Sequence, residues 1–147
     1  MRGQNHIRGR HNGHMTDATL TVIVTIVRIA IAVVFIAMGI NHFVPKAARM
    51  MAKMIPPALR REGVFAPMNL VYLTGACEIA GGIGLLMPQT RLAAAIALVV
   101  FLAAVFPANA YAAANRERFG AVAIPFWPRL AAQVVLAALI VWVGVAA

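Results

Sequence analysis

Two ionisable side chains, Arg28 and Glu78, interrupt long apolar segments and are the first candidates for chemistry in this sequence. A charged side chain at the centre of a bilayer costs about 2.5–3.5 kcal/mol on the insertion scale, so such residues usually pair or serve a site. Counted inward from the ends of their segments at about 1.5 Å per residue, both lie roughly 12–15 Å deep. The spacing therefore predicts that Arg28 and Glu78 meet as an ion pair.

Small residues surround Glu78 at helical spacing: Thr74, Gly75, Gly81 and Gly82. Faces of this kind let helices approach closely, which turns the Glu78 carboxylate into a helical bundle rather than toward lipid. On the preceding segment the period of 3.6 residues places Arg28 and His42 on one stripe. We therefore expect the buried cation and the histidine to share a face.

Further polar residues fall near one end of the apolar segments: Asn41, His42, Asn109, Arg129 and Gln133. Pro107 lacks the N–H that would bond the carbonyl of Ala103, which leaves an acceptor for a side chain or water. Together these groups predict a polar vestibule with Arg28 and Glu78 at its floor. Two interpretations stay open, a ligand or proton-handling site and a set of polar contacts that only fixes helix packing.

Neither metal nor disulfide chemistry is expected. His6, His11 and His14 lie in a Gly-rich tail without other ligands or a second shell, so we predict no metal site. The single cysteine, Cys77, has no partner in the chain and is interpreted as a packing residue.

Composition places the chain in a bilayer. Of its 147 residues 63% are hydrophobic and 12% charged, with a mean hydropathy of +0.85, whereas soluble domains have roughly 45–50% apolar and about 25% charged residues. About 20 apolar residues cross a bilayer as a helix. Four segments meet that length, at about 20–40, 69–87, 92–114 and 128–146.

The predicted fold class is all-α, an integral membrane up-down four-helix bundle. Residues 1–18 are predicted to form a disordered tail, and residues 19–147 a single domain. Asn69 and Thr90 are predicted helix N-caps, and Pro128 suits a first helical turn. The runs are continuous, without the alternation of a membrane β-barrel.

The first connecting loop carries a basic stripe of Lys46, Arg49 and Lys53, spaced by three and four residues and followed by Pro56 and Pro57. This pattern predicts a short interfacial helix whose apolar side lies in the headgroup layer and whose cations contact anionic lipid. The alternative is a lid over a pocket at that membrane face.

Basic residues are more numerous in the two long connections than on the side of the termini. The positive-inside rule then predicts a plasma (inner) membrane protein with cytoplasmic long loops and termini outside. A start at Met15 instead of Met1 would strengthen this asymmetry. The net charge of +9 is assigned to lipid headgroups rather than nucleic acid, because the cations flank apolar spans.

Three strings carry a resemblance to a known family: RIAIAVVFIAMGINHF, then PPALRREGVFAPMNLVYLTGACEIAGGIGLLMPQTRLAA, then FPANAYAAANRERFG. In their order they resemble the DoxX family of small four-helix membrane proteins, from about Val27 to Trp142. The family takes its name from the small subunit of a thiosulfate:quinone oxidoreductase. The resemblance implies a role for Arg28, Asn41, His42, Glu78, Pro107 and Asn109. The paired cysteines of thiol-redox relatives are missing.

The resulting expectation is an accessory or ligand-binding subunit of a quinone-linked redox system, without independent enzymatic activity. Quinone is the one cofactor considered, and an oxidoreductase the expected partner protein. Two alternatives remain: a non-catalytic membrane anchor or assembly factor for a partner protein, and a binder or transporter of a small amphiphile.

Overall fold

All regular elements in the computed structural model are helical. It describes residues 4–120 and 123–146, with side chains described from Asp17 onward, and over that part of the chain it contains no strand. Six α-helices follow in chain order: α1 (Gln4–Asn41), α2 (Pro45–Met54), α3 (Pro67–Leu86), α4 (Arg91–Ala114), α5 (Arg116–Phe119) and α6 (Phe126–Val145). Two 3₁₀ turns, Pro57–Leu59 and Gly63–Phe65, lie between α2 and α3. The prediction of an all-α fold is confirmed.

Four of these helices are long and apolar enough to cross a membrane. They cover Asp17–Asn41, Pro67–Leu86, Arg91–Ala114 and Phe126–Val145, close to the four predicted spans. α1 is helical from Gln4, earlier than its predicted start. The side chains of most of the predicted tail, residues 1–18, lie outside those described, and its disorder stays a prediction.

Prolines explain where several helices begin and end. Pro45 and Pro67 open α2 and α3, where the missing N–H costs no helical hydrogen bond. Pro56 follows the end of α2. α6 begins two residues before Pro128, so that proline still lies in its first turn.

The two predicted N-caps behave differently from the expectation. Thr90 does precede α4, but its hydroxyl donates to the carbonyl of Gly84 (3.0 Å) instead of accepting from the helix. The Asn69 prediction is wrong, because α3 already begins at Pro67 and the Asn69 amide donates back to the carbonyl of Gly63 (3.1 Å).

Glycine contacts define how neighbouring helices run. A Cβ at Gly39 would lie 2.6 Å from the Gly75 carbonyl, and one at Gly82 would lie 2.9 Å from the Ala32 carbonyl. The contacts run from Gly39 back to Ala32 in α1 while they run from Gly75 on to Gly82 in α3. The two helices are therefore antiparallel. The same relation joins α3 to α4 and α4 to α6, while α6 returns to pack against α1. The predicted up-down arrangement of helices is thus the arrangement found.

The core lies where small residues of one helix meet larger ones of the next. Leu98 fills the space above Gly81, and Ala95 contacts Gly144. Leu85, Leu98, Ile140 and Val143 are fully buried. The outward faces are apolar and exposed, as at Ile26, Val33 and Ile96, which is the pattern expected of helices surrounded by lipid.

α2 packs on the bundle instead of lying apolar side down in the headgroup layer. Its buried residues are Ala48 and Met54, and Met54 contacts Ala112, Phe119 and Ala123 near the end of α4. The expectation that this apolar face meets lipid is therefore wrong. The helical period explains the difference, since the face opposite the basic stripe fits the end of the bundle. Lys46, Arg49 and Lys53 remain exposed.

Candidate functional site: the His42–Glu78 pair

A buried histidine and a buried glutamate face each other between α1 and α3. His42 Nδ1 lies 3.7 Å from Glu78 Oε2, and each residue is only 8% exposed. His42 is the first residue after α1, where its backbone N–H still bonds the carbonyls of Met38 and Gly39. Glu78 lies in the middle of α3. The contact thus joins the end of one apolar helix to the interior of another.

Close approach of the two helices creates this contact. A Cβ at Gly75 would lie 2.6 Å from the Cβ of His42 and 2.9 Å from the carbonyl of Gly39. Real Cβ contacts are longer than this, so only glycine fits there. Gly75 is one turn before Glu78, and its missing side chain lets the imidazole lie against α3.

Thr74 completes the cluster. Its hydroxyl is 3.4 Å from His42 Nδ1 and donates to the carbonyl of Val71 at 2.8 Å. Since the Thr74 hydroxyl already donates to Val71, it can only accept from His42. The two groups that face Nδ1, the Thr74 hydroxyl and the Glu78 carboxyl, therefore both offer oxygen acceptors. The tautomer with its proton on Nδ1 therefore suits the geometry.

Burial also determines the charge state of the histidine. It lowers the pKa of His42 below the ordinary value of 6.5, so the imidazole is neutral at pH 7. The contact with Glu78 is accordingly a neutral ring beside a carboxyl group rather than an ion pair. Glu78 Oε2 is buried and has no hydrogen-bond donor among the described residues.

Arg28 does not take part in this cluster, and the predicted Arg28–Glu78 ion pair is wrong. Glu78 lies beside Gly39, eleven residues along α1 from Arg28, or about 16 Å at 1.5 Å per residue. The guanidinium instead donates to the carbonyl of Val143 (3.1 Å) in the last turn of α6 and to that of Ala146 (2.9 Å), the residue that follows α6. The vestibule floor predicted from this pair is therefore absent at that position.

The remaining predicted residues form a second polar group near the same end as His42. Arg129 donates to the side-chain oxygen of Asn109, which links α6 to α4. Gln133 donates to the carbonyl of Leu102 at 2.9 Å. The sequence predicts a free acceptor at the carbonyl of Ala103, because Pro107 has no N–H to bond it. The observed acceptor, Leu102, is the residue directly before Ala103, in the same helical turn. Asn41 contributes its backbone carbonyl to the turn that follows α1.

The sequence argument includes Thr74 only as a small residue beside Glu78 and misses its hydroxyl as a contact of His42. The glycines at positions 39 and 75 held the missing signal, since two helices that approach closely at both positions bring His42 and Glu78 together. Cys77, expected to be a packing residue, is exposed on the outer face of α3.

The expectation that His6, His11 and His14 bind no metal lies outside the described side chains, because all three residues precede Asp17. Among the described residues, no group of three or more His, Cys, Asp or Glu side chains is placed to hold an ion.

Comparison with known proteins identifies a different family from the expected one. Residues 31–144 match the family model described as Domain of unknown function (DUF8561), which is most of the chain. Nothing in this match indicates DoxX, so the expected DoxX membership is wrong. Short strings of Ala, Val, Leu and Ile resemble one another in many apolar helices, which explains the misleading likeness. No curated protein matches the chain, and no solved structure matches it.

Proposed function

The chain belongs to the DUF8561 family, and on that premise we propose that it is a multi-pass membrane protein whose His42–Glu78 pair binds the polar group of a lipid-soluble ligand. The observation that carries the proposal is Glu78 Oε2, which is buried without a hydrogen-bond donor among the described residues. A buried carboxyl oxygen needs a donor, from a proton or from a ligand. An ionisable residue within a candidate span is a functional-site candidate by default.

The ligand class follows from the two groups that face each other. A carboxyl group can accept a hydrogen bond or donate its proton, and the neutral imidazole can donate from Nδ1 or accept. The complementary ligand has a hydroxyl or carbonyl group and an apolar body that fits among aliphatic helices. Quinones and quinols are one such class, and the pair could exchange a proton with them. The described side chains form no redox centre, so in this proposal the chain acts as an accessory, ligand-binding subunit beside an oxidoreductase partner.

Placement of α2 supports access from the end of the bundle that carries the long connections. α2 packs against α3 and α4 at this end, with its basic stripe exposed. In a membrane these cations face anionic headgroups. The aromatic pair Phe43–Tyr72, stacked at 5.6 Å, and the exposed Trp127 lie at the same end, as expected near a membrane–water interface. α2 is then a cover over the route to Glu78.

Orientation belongs to the same proposal. The two long connections and their flanks carry eight basic residues, and the positive-inside rule directs that end to the cytoplasm: Lys46, Arg49, Lys53, Arg60, Arg61, Arg116, Arg118 and Arg129. The membrane is the plasma (inner) membrane, and the termini lie outside.

The close glycine contacts favour a second candidate, a non-catalytic anchor or assembly factor. Under it, His42 and Glu78 only hold α1 against α3, and the exposed basic face of α2 docks an acidic partner protein. Polar contacts between membrane helices average about 0.6 kcal/mol, so such a pair could be structural alone.

A pair of variants separates the two candidates. The wild type, Glu78→Gln and the exposed-carboxylate control Glu62→Gln are purified in mild detergent, and the bound small molecules are extracted and identified by mass spectrometry. We expect a stoichiometric apolar ligand in the wild type and in the Glu62 variant, and its loss from a folded Glu78→Gln protein. A wild type that carries no such ligand, but copurifies with a soluble protein, would favour the anchor. Equal ligand content in all three proteins would exclude Glu78 as a ligand group.

A further inference from the structure

Two arginines converge at the opposite end of the bundle, far from the His42–Glu78 pair. Arg28, in α1, donates from Nε to the carbonyl of Val143 and from Nη2 to that of Ala146. Arg91, the first residue of α4, donates from Nη1 to the same Ala146 carbonyl at 3.4 Å. Arg28 is only 7% exposed. Two positive charges thus share one acceptor at the end of α6.

Among the described residues, no acidic side chain lies close enough to neutralise the two arginines. The sequence contains four acidic residues. Asp17 lies eleven residues before Arg28 on α1, or about 16 Å away along the helix. The other three, Glu62, Glu78 and Glu117, belong to the end with the long connections or to the His42 cluster. The positive charge of the two arginines therefore has no counter-ion among these four side chains.

Helix dipoles do not remove the excess either. The last turns of α3 and α6 each contribute about half a negative charge at this end, and the first turn of α4 contributes about half a positive charge. The net contribution is about half a negative charge, so most of the positive charge of the two arginines remains. At the edge of a bilayer such charges are weakly screened, and an anion there is strongly attracted.

Unused donors supply the recognition chemistry. Each guanidinium carries five N–H groups, and the described residues accept only three bonds from the two side chains together. Arg91 Nε is buried without a partner among those residues. A fork of parallel N–H donors matches the oxygens of a phosphate group.

We propose that Arg28 and Arg91 form a phosphate-binding site at the end of the bundle where α3 and α6 terminate. Three of the four candidate membrane spans begin or end at this level, those in α3, α4 and α6, so a phospholipid headgroup is one source of the phosphate and free inorganic phosphate is the other. The site is independent of the ligand proposed for Glu78.

Binding is tested on the full chain, delipidated in detergent, with three probes: dioctanoyl-phosphatidylglycerol, dioctanoylglycerol, which has the same acyl chains without phosphate, and inorganic phosphate. Native mass spectrometry and titration calorimetry give occupancy and affinity. We expect the phosphate-bearing lipid to bind and dioctanoylglycerol to bind at least tenfold more weakly. Arg91→Gln should weaken the binding at least tenfold, whereas Arg49→Gln, at the opposite end, should leave it unchanged.

The variants and probes give distinct outcomes. Arg28→Gln also removes two bonds to α6, so Arg91→Gln decides the matter if the Arg28 variant does not fold. Competition by inorganic phosphate at similar concentration supports the site with free phosphate as its source, and binding of the lipid alone supports it with a headgroup as its source. The proposal is overturned if the wild type binds neither phosphate probe, or if Arg91→Gln binds as the wild type does.

Discussion

Replacement of Gly75 by alanine is expected to destabilise the protein and to disturb the His42–Glu78 contact. The added Cβ would lie 2.6 Å from the Cβ of His42, about 0.8 Å inside the 3.4 Å at which ordinary contacts begin. Its other neighbour is the Gly39 carbonyl at 2.9 Å. Both belong to the closely packed start of the α1–α2 turn, so α1 and α3 must separate.

The magnitude follows from two opposing effects. Overpacking of a well-packed interface costs typically about 1–3 kcal/mol. Alanine in place of glycine inside a helix returns up to about 1 kcal/mol through backbone propensity. The clashing atoms, the Cβ of His42 and a backbone carbonyl, cannot turn aside by side-chain rotation, so the upper part of the overpacking range applies, about 2–3 kcal/mol. We therefore expect a net loss of about 1–2 kcal/mol in the free energy of unfolding.

The assay is reversible unfolding in mixed micelles followed by circular dichroism. The matched control is Ala76→Leu on the same helix, because Ala76 is exposed and a larger side chain there meets no neighbour in the bundle. We expect the control to stay within about 0.5 kcal/mol of the wild type. Equal or greater stability of Gly75→Ala than of the wild type would refute the close helix contact on which the His42–Glu78 geometry depends.

Two further predictions concern charge and orientation. Burial lowers the pKa of His42 in the folded state. Its stabilising contribution is therefore present above the unfolded pKa of about 6.5 and declines as the pH falls toward the folded value. The free energy of unfolding should drop between pH 7 and pH 5 more in the wild type than in His42→Gln, and equal pH profiles of the two proteins would contradict this. In a Cys77→Ser background, a single cysteine introduced by Lys53→Cys should react with an impermeant maleimide only in inside-out vesicles, whereas labelling of intact cells would reverse the proposed orientation.

Helix positions could be predicted from the sequence because apolar length and proline are local signals. Pro67 and Leu86 bound α3 within two residues of the expected span, and Pro45 opens the short basic helix. The level at which a residue meets a neighbouring helix cannot be predicted from such local signals, because it depends on how far one helix is shifted along the other. The contact of Gly39 with Gly75 sets that register, and it moves Glu78 away from Arg28 toward His42.

The partner of Arg28 was also beyond a sequence argument. An arginine in an apolar run suggests a carboxylate, but the carbonyls at the end of any helix accept as well. Only the fold shows that α6 ends beside Arg28, with Val143 and Ala146 as the acceptors. The packing of α2 on the bundle could not be predicted for the same reason. An amphipathic pattern indicates that one face of a helix is buried, but it does not indicate whether lipid or protein covers that face.

The unequal lengths of the candidate membrane spans would make the bundle sensitive to bilayer thickness. The span in α4 has 24 residues, against 20 in α3 and α6, a difference of about 6 Å at about 1.5 Å per residue. In a thin membrane α4 would have to incline or let its ends emerge. Because Arg91 at the start of α4 shares the Ala146 carbonyl with Arg28 of α1, such an inclination would pull on the place where three helices meet.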